Sequence, residues 1–147
     1  MKTFVVDASV GIKWLLPPKD EPFTTEAKQL LHLFVTDRVK LLVPDLFWTE
    51  VGAVLWKAVL RGRISAESAE RALDRGVAFK VPCLPAIPLV VRALQLALTY
   101  QRSVYDSLYV ATAIHAKAEL VTADEKLVNA LGTKLPVRWL GALSTLL

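Results

Sequence analysis

Phe4-Val5-Val6-Asp7-Ala8-Ser9-Val10, with Thr3 before it, is the stretch on which the fold turns. The β-branched and aromatic residues of Thr3–Val6 do not alternate with polar ones. They read as a strand buried on both faces, the pattern of a parallel sheet. The run stops abruptly at Asp7. Ser9 is then placed to cap a short amphipathic helix reaching about Leu16, where Pro17-Pro18 ends it. A buried strand that runs into an acid and then a helix opens an α/β unit.

Outward from there the alternation continues. Thr24 or Thr25 starts a helix with Ala27, Leu30, Leu31, Phe34 and Val35 on its apolar face. Residues 41–43 form a second short buried strand, and Pro44-Asp45 starts a helix running to about Arg61. That helix buries Leu46, Val51, Val54, Leu55, Ala58 and Val59, and Gly62 suits its C-terminal cap. Ser65 opens another helix to about Arg75, and residues 79–84 form a third strand despite Pro82. Pro88 starts a helix that fades near Tyr100. A further helix carries residues 105–118, followed by a strand over 120–122. A short helix, Glu125–Leu131, ends at Gly132, and a last strand covers 137–140. Strands alternating with helices predict an α/β fold with a mainly parallel sheet.

The 147 residues suit one domain, 1–147. Hydrophobic residues make up 54% and mean hydropathy is +0.41, high for a soluble chain. Even so, a charge interrupts every apolar stretch before it reaches the ~20 residues of a membrane span. Asp7 also falls where the apolar part of a signal peptide would lie. The expectation is a soluble, cytoplasmic protein without a membrane partner. Its excess apolar character goes to a sheet buried on both faces and to surface reserved for a protein partner. Cys83, the one cysteine, permits no intrachain disulfide and no cysteine-based zinc site, and reads as a small buried hydrophobe. The net charge of +4 and pI near 9.3 are compatible with a polyanionic partner.

Against that basic balance, four acids stand in apolar surroundings. In an open α/β sheet the binding crevice lies beyond the C-terminal strand ends, where strand order reverses. Asp7 directly follows the first strand, and Asp124 follows strand 120–122 with one residue between. If those strands are neighbours, both carboxylates project into one crevice. Asp106 sits in the first turn of its helix, where the dipole favours an anion. Glu50, about a turn and a half into its helix, leans over the same edge. Taken singly, Asp7 and Asp124 read as helix caps and Asp106 as a first-turn acid. Glu50 is flanked by Trp48, Val51, Ala53, Val54 and Leu55, so an unpaired carboxylate there demands a cation or a proton. Together the four repel one another unless a divalent ion neutralises them. Oxygen ligands without Cys or His select a hard ion, Mg2+ or Mn2+. Ser9 and Thr122, two residues from Asp7 and Asp124, are placed to orient a carboxylate or a water. His115 lies nine residues beyond Asp106, about 180° round the helix, and His32 belongs to a helix without an acid motif. Lys57 and Arg61 lie within about 20° of Glu50 on one helix face and are candidates for phosphate contacts, equally readable as a solvated surface. Arg102 and Lys13 are weaker candidates.

Four pieces, FVVDASV (4–10), PDLFWTEVGAVL (44–55), YDSLYVATA (105–113) and LVTADEKL (120–127), resemble the PIN-domain nucleases, and among them the VapC toxins of type II toxin–antitoxin systems. Order and spacing agree from residue 3 to about 140. The resemblance implies a three-layer α/β/α sandwich with the first and fourth strands adjacent. It also implies Mg2+- or Mn2+-dependent endoribonuclease activity at Asp7, Glu50, Asp106 and Asp124, a homodimer, and a cognate antitoxin that occludes the site. Many relatives place a further acidic or polar ligand a little after the last Asp; here Glu125-Lys126 follows Asp124. The alternative reading is a catalytically silent PIN-type module that only binds RNA or a protein.

Overall fold

The structure, a computed structural model, describes residues 1–147 except for the side chain of Asp20. Five strands, β1 (Thr3–Val6), β2 (Lys40–Pro44), β3 (Cys83–Leu84), β4 (Glu119–Thr122) and β5 (Val137–Trp139), form one sheet in the order β3-β2-β1-β4-β5. All its pairings are parallel. The helices are α1 (Ala8–Gly11), α2 (Thr24–Val35), α3 (Phe47–Leu60), α4 (Ala66–Ala78), α5 (Val90–Tyr100), α6 (Val104–His115), α7 (Glu125–Leu131) and α8 (Leu143–Leu146).

From β1 the chain steps outward through β2 to β3, then crosses back to lay β4 and β5 on the other side of β1. Crossovers between parallel strands are right-handed, so the two directions put their helices on opposite faces. The result is a three-layer α/β/α sandwich, as the resemblance implied. α6 lies across β1, β2 and β4, and α5 packs along α6, while α3 packs between α1 and α4. Phe4, Val5, Val6, Leu120 and Val121 are fully buried, which is why strands β1 and β4 lack polar alternation. β1 pairs with β4 in the register Val5 to Leu120 and Val6 to Val121. Asp7 and the 123–124 segment therefore leave the sheet side by side.

Two close contacts set α3 against its neighbours. The Phe47 ring occupies the space that any side chain at Gly11 would need, and Trp48 lies over Gly76, where a Cβ would come within 2.6 Å of the ring. These contacts fix α3, and Glu50 with it, against α1 and α4. Gly62 takes the left-handed conformation (φ 72°) after α3. Its N–H reaches Val59 O at 3.0 Å and that of Arg63 reaches Ala58 O at 2.9 Å, closing the helix as a Schellman motif.

Several expectations are corrected. The third strand is only Cys83–Leu84, because α4 continues to Ala78 and Lys80 turns through φ 57°. Pro82 joins the sheet edge only as an acceptor, from Val43 N–H. Cys83 is exposed rather than buried, since this two-residue edge strand has no cover on its outer side. The first helix is capped by Asp7, not Ser9, and relaxes into a 3-10 turn over Ile12–Trp14. Lys13, a weak candidate for phosphate contact, is buried and faces Glu21 at 3.2 Å. The C-terminal turn and helix after β5 were not anticipated. Among the described residues, no helix is long and apolar enough to cross a membrane.

Candidate active site

The reversal of strand order falls between β1 and β4, and their C-terminal ends carry the site. Asp7 caps α1. Its Oδ1 accepts from Ser9 N–H at 3.1 Å and also from the Ser9 hydroxyl. The same hydroxyl oxygen accepts the Ala123 N–H at 3.0 Å and lies 3.4 Å from Thr122 Oγ1. Ser9 thus bridges the ends of β1 and β4, a role the sequence reading had assigned to helix capping. Thr122, fully buried, accepts the Asp124 N–H at 3.0 Å. Asp124 in turn caps α7, accepting from Lys126 N–H at 3.1 Å and Leu127 N–H at 3.3 Å. Asp106 enters in the first turn of α6, whose cap is Ser103.

The four carboxylates differ in depth. Asp7 is buried, Glu50 and Asp106 are half-buried, and Asp124 is exposed. They are electrically linked through Asp106, which repels Asp7 and Glu50 and is itself repelled by Asp124. Burial, reinforced by Asp106, pushes Asp7 up to about 6 despite the hydrogen bonds of Ser9 and Thr122. Desolvation and then Asp124 raise Asp106, with Ser103 and Arg102 opposing. Desolvation and Asp106 also raise Glu50. Arg102 acts on Asp106 only at a distance, because its guanidinium donates to Lys126 O at 2.9 Å.

Glu50 is not the orphan its apolar neighbours in sequence implied. Its Oε1 accepts the Tyr109 hydroxyl at 2.7 Å, so apolar surroundings alone do not force a cation on it. Asp7, deeper and met only by neutral donors, takes over that argument. Tyr109 is the group that sequence reading missed. It sits inside the apolar run 108–113, where an aromatic reads as core. The available signal was a tyrosine, rather than a phenylalanine, three residues after Asp106 and on the same face of the helix.

The donors are all oxygen: four carboxylates with the hydroxyls of Ser9 and Thr122. His32 and His115 are exposed. That donor chemistry fits a hard divalent ion. The side chains themselves stand apart, and among the described residues no three of His, Cys, Asp or Glu are close enough to hold an ion between them. Lys57 and Arg61 are exposed, just past the site along α3, and Glu125 is exposed beside Asp124. The larger cavities are elsewhere, such as one of about 470 Å³ lined by Trp14, Pro18, Ile64 and Arg75.

An open parallel α/β sheet with an all-oxygen acidic cluster at its switch point defines a carboxylate-site α/β protein. The chain belongs to the PIN domain family, whose match runs over residues 4–130. PIN domains are typically nucleases and generally use divalent metal ions. Among solved structures the fold is similar to that of PAE2754 from Pyrobaculum aerophilum, with a TM-score of 0.69, 22% identity and coverage of 98% of both chains. At that identity the likeness concerns the fold. No curated protein matches the chain.

Proposed function

We propose that the protein is a Mg2+- or Mn2+-dependent endoribonuclease, the VapC-like toxin of a type II toxin–antitoxin pair acting in the cytoplasm. The observation that carries this reading is the set of four carboxylates at the β1/β4 edge, three of them repelled through Asp106, with Asp7 buried among neutral donors. Asp7, Asp106 and Asp124, with Glu50, would hold the ion, which when bound supplies Lewis-acid stabilisation of phosphate charge and an activated water. Ser9 and Thr122 keep Asp7 oriented, and Ser9 locks the two strand ends together. Lys57 and Arg61 would take phosphates of the RNA leaving the site along α3. The expected products carry a 5′-phosphate and a 3′-hydroxyl.

Exposed apolar faces support a homodimer and a bound antitoxin. Ile87, Val91 and Leu98 are 87%, 66% and 73% exposed on and beside α5. A groove of about 240 Å³ between α3 and α4 is lined by Leu55, Trp56, Val59 and Leu73. Such contiguous apolar surface is characteristic of protein contacts.

A labelled RNA pool incubated with the protein and Mn2+ should be cut, and EDTA should stop the cutting. Asp106→Asn should lower the rate by at least about 100-fold, the scale of losing one charge-handling group, while circular dichroism stays unchanged. Cleavage that survives either treatment overturns the assignment. RNA binding without any cleavage would favour the silent module instead.

A further inference from the structure

Tyr109 is 2% exposed, yet its hydroxyl ends on a side chain of the acidic edge rather than on a core carbonyl. A buried hydroxyl without a partner is costly, and phenylalanine would fill the same space at no such cost. The hydroxyl therefore answers to Glu50, with the Ala8 backbone as its other polar neighbour. α6 gives it a rigid base, because the helix lies across β1, β2 and β4 and Leu108, Val110, Ala111 and Ala113 are buried around it. The α3 backbone is held by Phe47 and Trp48, but the Glu50 side chain is half-buried near the helix start and pushed by Asp106. Left alone, its carboxylate would relax towards solvent and away from the other acids. A phenol donates one hydrogen bond, so it takes one lone-pair direction of Oε1 and leaves Oε2 wholly free for a cation.

We infer that Tyr109 is a positioning residue that pins Glu50 beside the repelling Asp106 and holds its carboxylate with Oε2 free. The inference rests on the metal-site reading above and adds to it a residue that touches neither ion nor RNA. Groups that hold a ligand in place from behind are worth about 10–100-fold in metal affinity.

Mn2+ titration by calorimetry, without RNA, tests this on the wild type, Tyr109→Phe, Glu50→Gln and the double variant. Melting temperatures are recorded alongside without metal. Tyr109→Phe should weaken Mn2+ binding about tenfold, and should weaken it no further once Glu50 is already Gln. Two results overturn the inference: unchanged affinity in Tyr109→Phe, or a loss that persists undiminished in the Glu50→Gln background, which would mark a merely structural tyrosine. A wild type that binds no Mn2+ removes the metal-site reading and the inference with it. Weakening by Glu50→Gln but not by Tyr109→Phe removes the inference alone.

Discussion

Asp7 and Lys13 lie six residues apart at either end of one short helical segment, and both are nearly sealed from solvent, at 8% and 5% exposure. Their surroundings answer the charge in opposite ways. Lys13 meets Glu21 at 3.2 Å, and Glu21 also takes Arg63 at 3.3 Å, so the charge is balanced by the fold itself. Asp7 meets hydroxyls and N–H groups only, and the charge that acts on it, Asp106, has the same sign. A protein that can build a buried ion pair at one end of a helix has left the other end unbalanced. The first arrangement holds structure together. The second keeps a desolvated carboxylate, pushed further by Asp106, without a counter-charge in the fold.

Breaking the balanced end should have the largest effect. Glu21→Gln strands the Lys13 ammonium in the interior and should cost about 3 kcal/mol, the scale for a buried pair that loses one partner. Urea denaturation at pH 7 measures it, and a loss under about 1 kcal/mol would mean that the pair behaves as a surface one.

Repairing the unbalanced end should act the other way. The folded state holds the Asp7 proton up to about pH 6, against an ordinary value of 3.8. Asp7's contribution to stability is therefore full below about pH 4, declines as pH rises to about 6, and stays lost above. The shift sets an upper bound of about 3 kcal/mol at pH 8. Asp7→Asn should gain about 2 kcal/mol there and nothing at pH 4. Added Mn2+ should stabilise the wild type and not the variant. Equal stability of the two at pH 8 without metal would show that the acidic edge carries no strain.

The smallest effect concerns the exposed cations beyond the site. Reversing Lys57 and Arg61 together should leave unfolding within about 0.5 kcal/mol. It should flatten the salt dependence of RNA binding by about 0.7 in log–log slope per lost phosphate contact. An unchanged slope would return both residues to plain solvated surface.

What could be read from the sequence depended on how local the cause was. The unalternating Thr3–Val6 run and its stop at Asp7 announced a doubly buried strand with an acid at its end. Asp124 after the 120–122 run was a second signal of that kind, and parallel strands share their C-terminal side, so both acids leave the sheet at one edge; Glu50 and Asp106 had to be read as helix residues near it. Ser65 as the α4 cap and Gly62 as the α3 terminator were equally local. Pairings between distant residues were not legible. Lys13 is interior with Glu21 as its partner, and no spacing rule announces that. Tyr109 was hidden by the apolar run that surrounds it, and its meaning depends on a carboxylate 59 residues earlier. Cys83 was misjudged because its strand proved too short and too marginal to be covered.

The strand order also has a consequence in time. β1 occupies the centre of the sheet, while the partner on one of its sides, β4, begins only at Glu119, far later in the chain. At translation speeds of about 5–20 residues per second, the growing chain spends several seconds or more with that apolar strand edge open. An unpaired edge is a template for pairing with other chains. For most of that time Asp7 stands without Asp106 and Asp124, so a nascent chain is exposed to misassembly well before its acidic edge is complete.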